Sequence, residues 1–202
     1  MSKITDSLPV TIVCGIILTI IMVFVGQHTI TGSISMGPVV DVPLYVSFLD
    51  RWLHVISGVM WIGLLWYFNF VQIPSMPKIP DEQKPAVGKV IAPEALFWFR
   101  WAALATVVTG VLLATMNKYI GPALSLQAPY TAIGAGMWIA LIMAFNVWFI
   151  IWPNQKKALG IVPVEAAEKA AAARMAMLTS RANTMLSIPM LYLMVAQQNG
   201  GL

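Results

Sequence analysis

Long apolar runs, separated by short stretches rich in Gly, Pro and charged residues, set the pattern of this chain. A helix that crosses a bilayer needs about 20 apolar residues. About five stretches reach or approach that length, at residues 9–25, 53–71, 96–115, 130–152 and 175–196. The last is the most interrupted, by Arg181 and Asn183, and Pro189 is expected to kink it. Helices apolar on nearly every face belong in lipid rather than on the surface of a soluble fold. The pattern therefore predicts an all-α integral membrane bundle of about five transmembrane helices. It forms a single domain over residues 1–202.

Within the second run, RWLHVISGVMWIGLLWYFNFVQIP, one face differs from the rest. At helical spacing His54 aligns with Ser57 and Gly58, then Trp61, Leu65, and Phe68 or Asn69. Val55, Val59, Ile62 and Trp66 form an opposite face suited to lipid. The connection after this run contains several prolines and reads as a rigid, extended linker. Pro93 and Glu94 stand where the next helix would start, with Trp98, Arg100 and Trp101 as an interfacial belt. The segment VEAAEKAAAARMAM is a strong helix former, so the fifth helix is expected to begin before the membrane.

Composition narrows the class. Hydrophobic residues make up 59% of the chain and charged residues 10%, against about a quarter charged in ordinary globular domains. Mean hydropathy is +0.80. The net charge of +4 is spread over loops, which excludes a nucleic-acid surface and serves orientation instead. Lys78, Lys84 and Lys89 lie in one loop, and Lys156, Lys157, Lys169 and Arg174 in another. The loops between carry few basic residues. The positive-inside rule then predicts a cytoplasmic N-terminus and an external C-terminus, in a multi-pass protein of the bacterial inner (plasma) membrane. The run from Pro9 to Val25 is longer than a signal-peptide core and no A-x-A site follows it, so it is expected to remain as a span. Cys14 is the sole cysteine, which excludes an intrachain disulfide framework.

His54 is the leading candidate for chemistry. A neutral imidazole inside a membrane can ligate haem iron or copper, and ionisable groups at such positions are functional by default expectation. Gly58 would admit a flat macrocycle and Trp61 would stack on it, so these three form the candidate cofactor set. The alternative is a histidine that hydrogen-bonds a neighbouring helix. His28, at the outer end of the first run, is a second and weaker metal-ligand candidate, with a solvated loop histidine as the other reading. A polar cluster is expected from Asn69, Arg100, Asn146, Arg181 and Asn183. It could take a quinone head group or an acidic lipid, or consist of interhelical hydrogen bonds and snorkelling arginines. Thirteen methionines lack any clustered spacing and read as core filler rather than a copper site. No nucleophile–base pair, phosphate loop or intramembrane carboxylate pair points to hydrolase or kinase chemistry.

RWLHVISGVMWIG, APEALFWFRWAALATVVTGVLL, NVWFIIWPNQKK and ANTMLSIPMLYLMV occur in this order. Together they resemble the membrane-embedded N-terminal domain of cytochrome-linked urate oxidases. The specific piece is the N-x-x-F…PNQ-K pattern of Asn146, Phe149, Pro153, Asn154, Gln155 and Lys156. WLHVIS alone is also similar to small haem-binding membrane protoporphyrinogen oxidases and to copper-resistance D-type membrane proteins. The resemblance implies the helical fold and His54 as a possible b-type haem ligand. The family pattern has histidines where this chain has Ala182 and Gln198, and a cytochrome c domain with a C-x-x-C-H site that this sequence lacks. A stand-alone membrane domain is thus expected, with urate oxidation not carried over.

Three readings stand from the sequence. One is a haem-b electron-transfer protein in the lipid bilayer, working beside a separate cytochrome or other membrane subunit. The second is a cofactor-free membrane subunit or scaffold. The third is a small-molecule transporter or binder that uses the helical cavity.

Overall fold

The computed structural model describes residues 7–31 and 42–199, apart from the side chains of a few residues at the ends of helices. Among the described residues the chain is helical throughout, with no strand. α1 (Leu8–Thr31) belongs to a first compact unit, residues 1–45, and is described by itself. The main helices that follow lie in the second unit, residues 46–202, apart from the first four residues of the first of them. They are α2 (Val42–Trp66), α3 (Ala92–Met116), α4 (Ile120–Leu124), α5 (Thr131–Phe145), α6 (Trp152–Ala158) and α7 (Ala166–Asn199).

These helices are apolar on the inside and on the outside. Trp61, Leu65, Phe99, Met143 and Val147 are fully buried in a shared core. Yet Val59, Phe70, Phe149 and Val195 are each 60% exposed or more. A soluble domain would not leave so many large apolar side chains in water. Among the described residues, three continuous rods are long and apolar enough to cross a membrane: Pro43–Lys78, Lys84–Met116 and Thr131–Ala158. Within α1 the stretch Leu8–Val23 is apolar, and α7 has the length of a span but not the apolarity. The chain is read as a membrane protein on this ground, with three of the expected spans meeting the test of length and composition. Ile62, placed on the lipid face by its spacing, is buried in the core instead.

The proline-rich connection is not extended. The rod of α2 runs on through a π-helical stretch, π1 (Tyr67–Gln72), to Lys78, and the next rod begins at Lys84. Only residues 79–83 separate them, and Pro93 and Glu94 stand in the first turn of α3, which continues the rod that begins at Lys84. Two further π-helical stretches follow, π2 (Val87–Ile91) before α3 and π3 (Asn146–Ile151) before α6. Each ends two residues before a proline, at Pro74, Pro93 and Pro153 respectively. Proline has no N–H and its ring crowds the carbonyl four residues back. A widened turn relieves both problems without ending the helix. Accordingly the N–H just before each proline reaches five residues back, from Ile73 to Phe68, Ala92 to Val87 and Trp152 to Val147. The prolines that suggested a linker therefore shape the helices instead. Pro189 lies inside α7, which continues through it.

α7 is the element the others lean on. It packs along α5, π3 and α6 and touches π1. Its buried residues recur at helical spacing as Ala172, Ala176, Ser180, Asn183, Ser187 and Met190. The upper half of that stripe is made of alanines that let helices approach, and the middle is polar. Gly160, at φ 76°, closes α6 in the left-handed conformation that favours glycine, with the Ile161 N–H on the Lys156 carbonyl.

Candidate functional site

His54 projects from α2 against α3. Its Nδ1 lies 2.9 Å from the Thr106 carbonyl oxygen and 3.1 Å from the Thr109 hydroxyl. The Thr109 hydroxyl itself donates to the Ala105 carbonyl at 2.7 Å. A backbone carbonyl can only accept, so the proton sits on Nδ1 and the Nε2 lone pair is left over. The ring rests in a notch that exists because residue 110 is glycine. A Cβ there would stand 2.9 Å from His54 Cε1, too close for any real contact. The sequence showed the histidine but not its partners, because Thr106, Thr109 and Gly110 lie more than 50 residues away. Their small-residue stripe was the available signal.

The rest of the expected cofactor set follows one and two turns along α2. Gly58 faces the Thr106 methyl group, 3.9 Å from where its Cβ would be. Trp61 is fully buried, and its indole Nε1 has no hydrogen-bond partner among the described residues. One turn before His54, Asp50 is also buried, and its Oδ2 is without a partner among the described residues. The backbone of His28 belongs to α1, but its side chain lies outside the described residues. No group of three or more His, Cys, Asp or Glu side chains able to hold a metal occurs among the described residues.

The polar cluster forms, with a changed membership. Asn183 is fully buried. Its Nδ2 donates to the Met143 carbonyl at 2.9 Å, and its Oδ1 accepts from Asn146 Nδ2 at 2.8 Å. One turn away, Asn69 Nδ2 donates to Ser180 Oγ at 2.8 Å. Another turn along, Trp66 Nε1 donates to Ser187 Oγ at 2.9 Å. The three asparagines therefore bond α7 to α5 and to the α2 rod. Arg181 is not part of this set; helical spacing turns it outward from Ser180 and Asn183, and it is exposed. Arg100 is also apart from it. Its guanidinium lies over Trp152, 3.9 Å from the ring centroid, with Phe97 at 5.3 Å. Ser180 and Ser187 were missed in the sequence, since serine in an apolar helix gives no signal beyond its spacing.

Residues 115–200 match the family model described as urate oxidase N-terminal. The matched stretch is somewhat under half of the chain. It contains the Asn146–Lys156 signature and the buried stripe of α7, whereas His54 and its α3 partners lie before it. No curated protein and no solved structure matches this chain.

Proposed function

We propose that this protein is a multi-pass inner-membrane electron-transfer subunit in which His54 ligates the iron of a b-type haem through Nε2. The observation that supports this most is the Thr106 carbonyl on Nδ1. A histidine that ligates a metal almost always donates its other ring N–H to a carbonyl or carboxylate, which fixes the tautomer and raises the basicity of the ligating nitrogen. The chemistry such a haem supplies, when bound, is one-electron transfer. In this reading Thr109 and Gly110 hold the imidazole plane, and Trp61 and Gly58 exclude the polar phase from the bundle side. The partner is a separate cytochrome, in keeping with a urate-oxidase-type membrane domain. The lysine-bearing segments around residues 78–89 and 156–174 face the cytoplasm.

The test is an absorption spectrum of detergent-purified protein from haem-replete cells, oxidised and then dithionite-reduced. A Soret band lost in His54→Ala is expected. Thr109→Ala should keep the pigment and shift the reduction potential. An unpigmented wild-type protein would overturn the proposal.

A second reading is favoured by the same geometry. Nδ1 has two partners on α3 and the ring fills a notch, which is also what a structural histidine does. As a cofactor-free scaffold the protein would keep its fold and assembly in His54→Asn, whose amide can still reach Thr106.

A further inference from the structure

The three π-helical stretches converge. Phe68 and Gln72 of π1, Val87 and Gly88 of π2 and Ile151 of π3 line one cavity of about 260 Å³, closed on the far side by α7 at Ala176 and Ser180. Widened turns of this kind occur frequently at functional sites. The walls are mostly apolar. Set into them, the Gln72 Oε1 is cut off from the surroundings and has no hydrogen-bond partner among the described residues. The Asn69 Oδ1, one turn earlier on the same face, is in the same condition. An unpaired acceptor in a site of low dielectric is destabilising, and a ligand with a donor would remove that cost.

We infer that this cavity binds the head group of a membrane-soluble quinol, with a ring hydroxyl donating to Gln72 Oε1. The volume is below the roughly 300–1,000 Å³ typical for whole drug-sized ligands, which suits one ring with its tail outside. The unpartnered atom in the lining, Gln72 Oε1, is an acceptor, so the hydroxyl-bearing reduced form can satisfy it and the quinone, an acceptor only, cannot. No charged side chain lines the cavity, in agreement with a neutral ligand. Gln72 lies 18 residues along the α2 rod from His54, about 27 Å at the helical rise. The site is therefore separate from the histidine, and this inference does not rest on haem binding.

Anaerobic titration of the detergent-solubilised full chain tests it, read by thermal stabilisation. The probes are a decyl-substituted benzoquinol, the matching benzoquinone and decylbenzene. The quinol should bind about 3–10-fold more tightly than the quinone, the worth of one net hydrogen bond. Decylbenzene should give no saturable shift. Gly88→Leu should abolish quinol binding while folding normally, because a Cβ at residue 88 meets nothing within 4 Å and the larger side chain can enter the cavity. Gln72→Leu should erase the preference for quinol over quinone. His54→Ala should leave binding unchanged. Equal binding of quinol and quinone by wild type, or quinol binding that survives in both Gly88→Leu and Gln72→Leu, would overturn the inference.

Discussion

The two ends of the bundle solve the same packing problem by opposite means. Around His54 and the α3–α5 connection, helices meet through missing side chains. Gly110 makes room for an imidazole, and Gly134 receives the carbonyl of Ala123 from α4. At the proline end they meet through amides and hydroxyls, with Asn183, Asn146, Asn69 and Ser180 bridging three rods. Between helices in lipid there is no hydrophobic drive, so close approach and hydrogen bonding are the two available forces. The first end uses shape for close approach, and its spare polar atoms, Asp50 Oδ2 and Trp61 Nε1 among the described residues, flank the histidine. The second uses polar groups that saturate one another only in part, so acceptors are left at Asn69 and at Gln72, which lines an open cavity. A close-packed end suits a fixed ring, and a loosely filled end suits an exchangeable ligand.

The sharpest way to break this comparison is at Gly134. A Cβ there would sit 2.0 Å from the Ala123 backbone oxygen, and backbone cannot rotate away. Gly134→Ala should cost at least about 3 kcal/mol, at or above the top of the usual range for overpacking. Its measure is the melting temperature of the solubilised protein. Gly63→Ala is the control, since nothing lies within 4 Å of a Cβ there. Comparable melting of the two variants would remove the claim that shape holds this end.

At the other end the corresponding change is Asn183→Leu. It strands Asn146 Nδ2 inside the bundle, at an expected cost of about 1–3 kcal/mol, whereas the Met143 carbonyl keeps the backbone N–H of Asn146. Adding Asn146→Leu removes the stranded group. The double variant should therefore melt above the value that the two single losses would give if they simply added. Strict additivity would mean that the two amides do not act as a pair.

How far the sequence showed these ends follows from the same difference. Apolar length alone identified the membrane rods, because a bilayer filters for it directly. His54, Asn146 and Asn183 stood out as polar residues in apolar runs, and the structure gives each of them a partner on another helix. What stayed hidden was anything carried by backbone. Proline normally marks the end of a helix, so Pro74, Pro77, Pro80 and Pro85 suggested a linker. The widened turn that keeps Pro74 and Pro93 inside rods has no residue signature of its own. Arg181 was placed among the inward polar groups because the periodicity of α7 is blurred by alanine, which suits either face. Gly110 and Gly134 are both small residues in apolar helices, and only the fold shows which atom each one faces.

The smallest expected effect lies at the connection between α3 and α4. The Tyr119 ring stacks on Tyr130, with centroids 5.4 Å apart and planes at 15°. Burial pushes the Tyr119 phenol above its ordinary value near 10, and the charge of Arg51 offsets part of that. The folded state therefore holds this proton more tightly than the unfolded state does. Its contribution to stability is complete below the unfolded value and is lost as pH rises through the folded one. Melting temperature measured from about pH 9 to about pH 11 should fall more steeply in wild type than in Tyr119→Phe, which keeps the stacked ring without the proton. Parallel curves would place the phenol in contact with solvent and show that the close-packed end stops short of the connection.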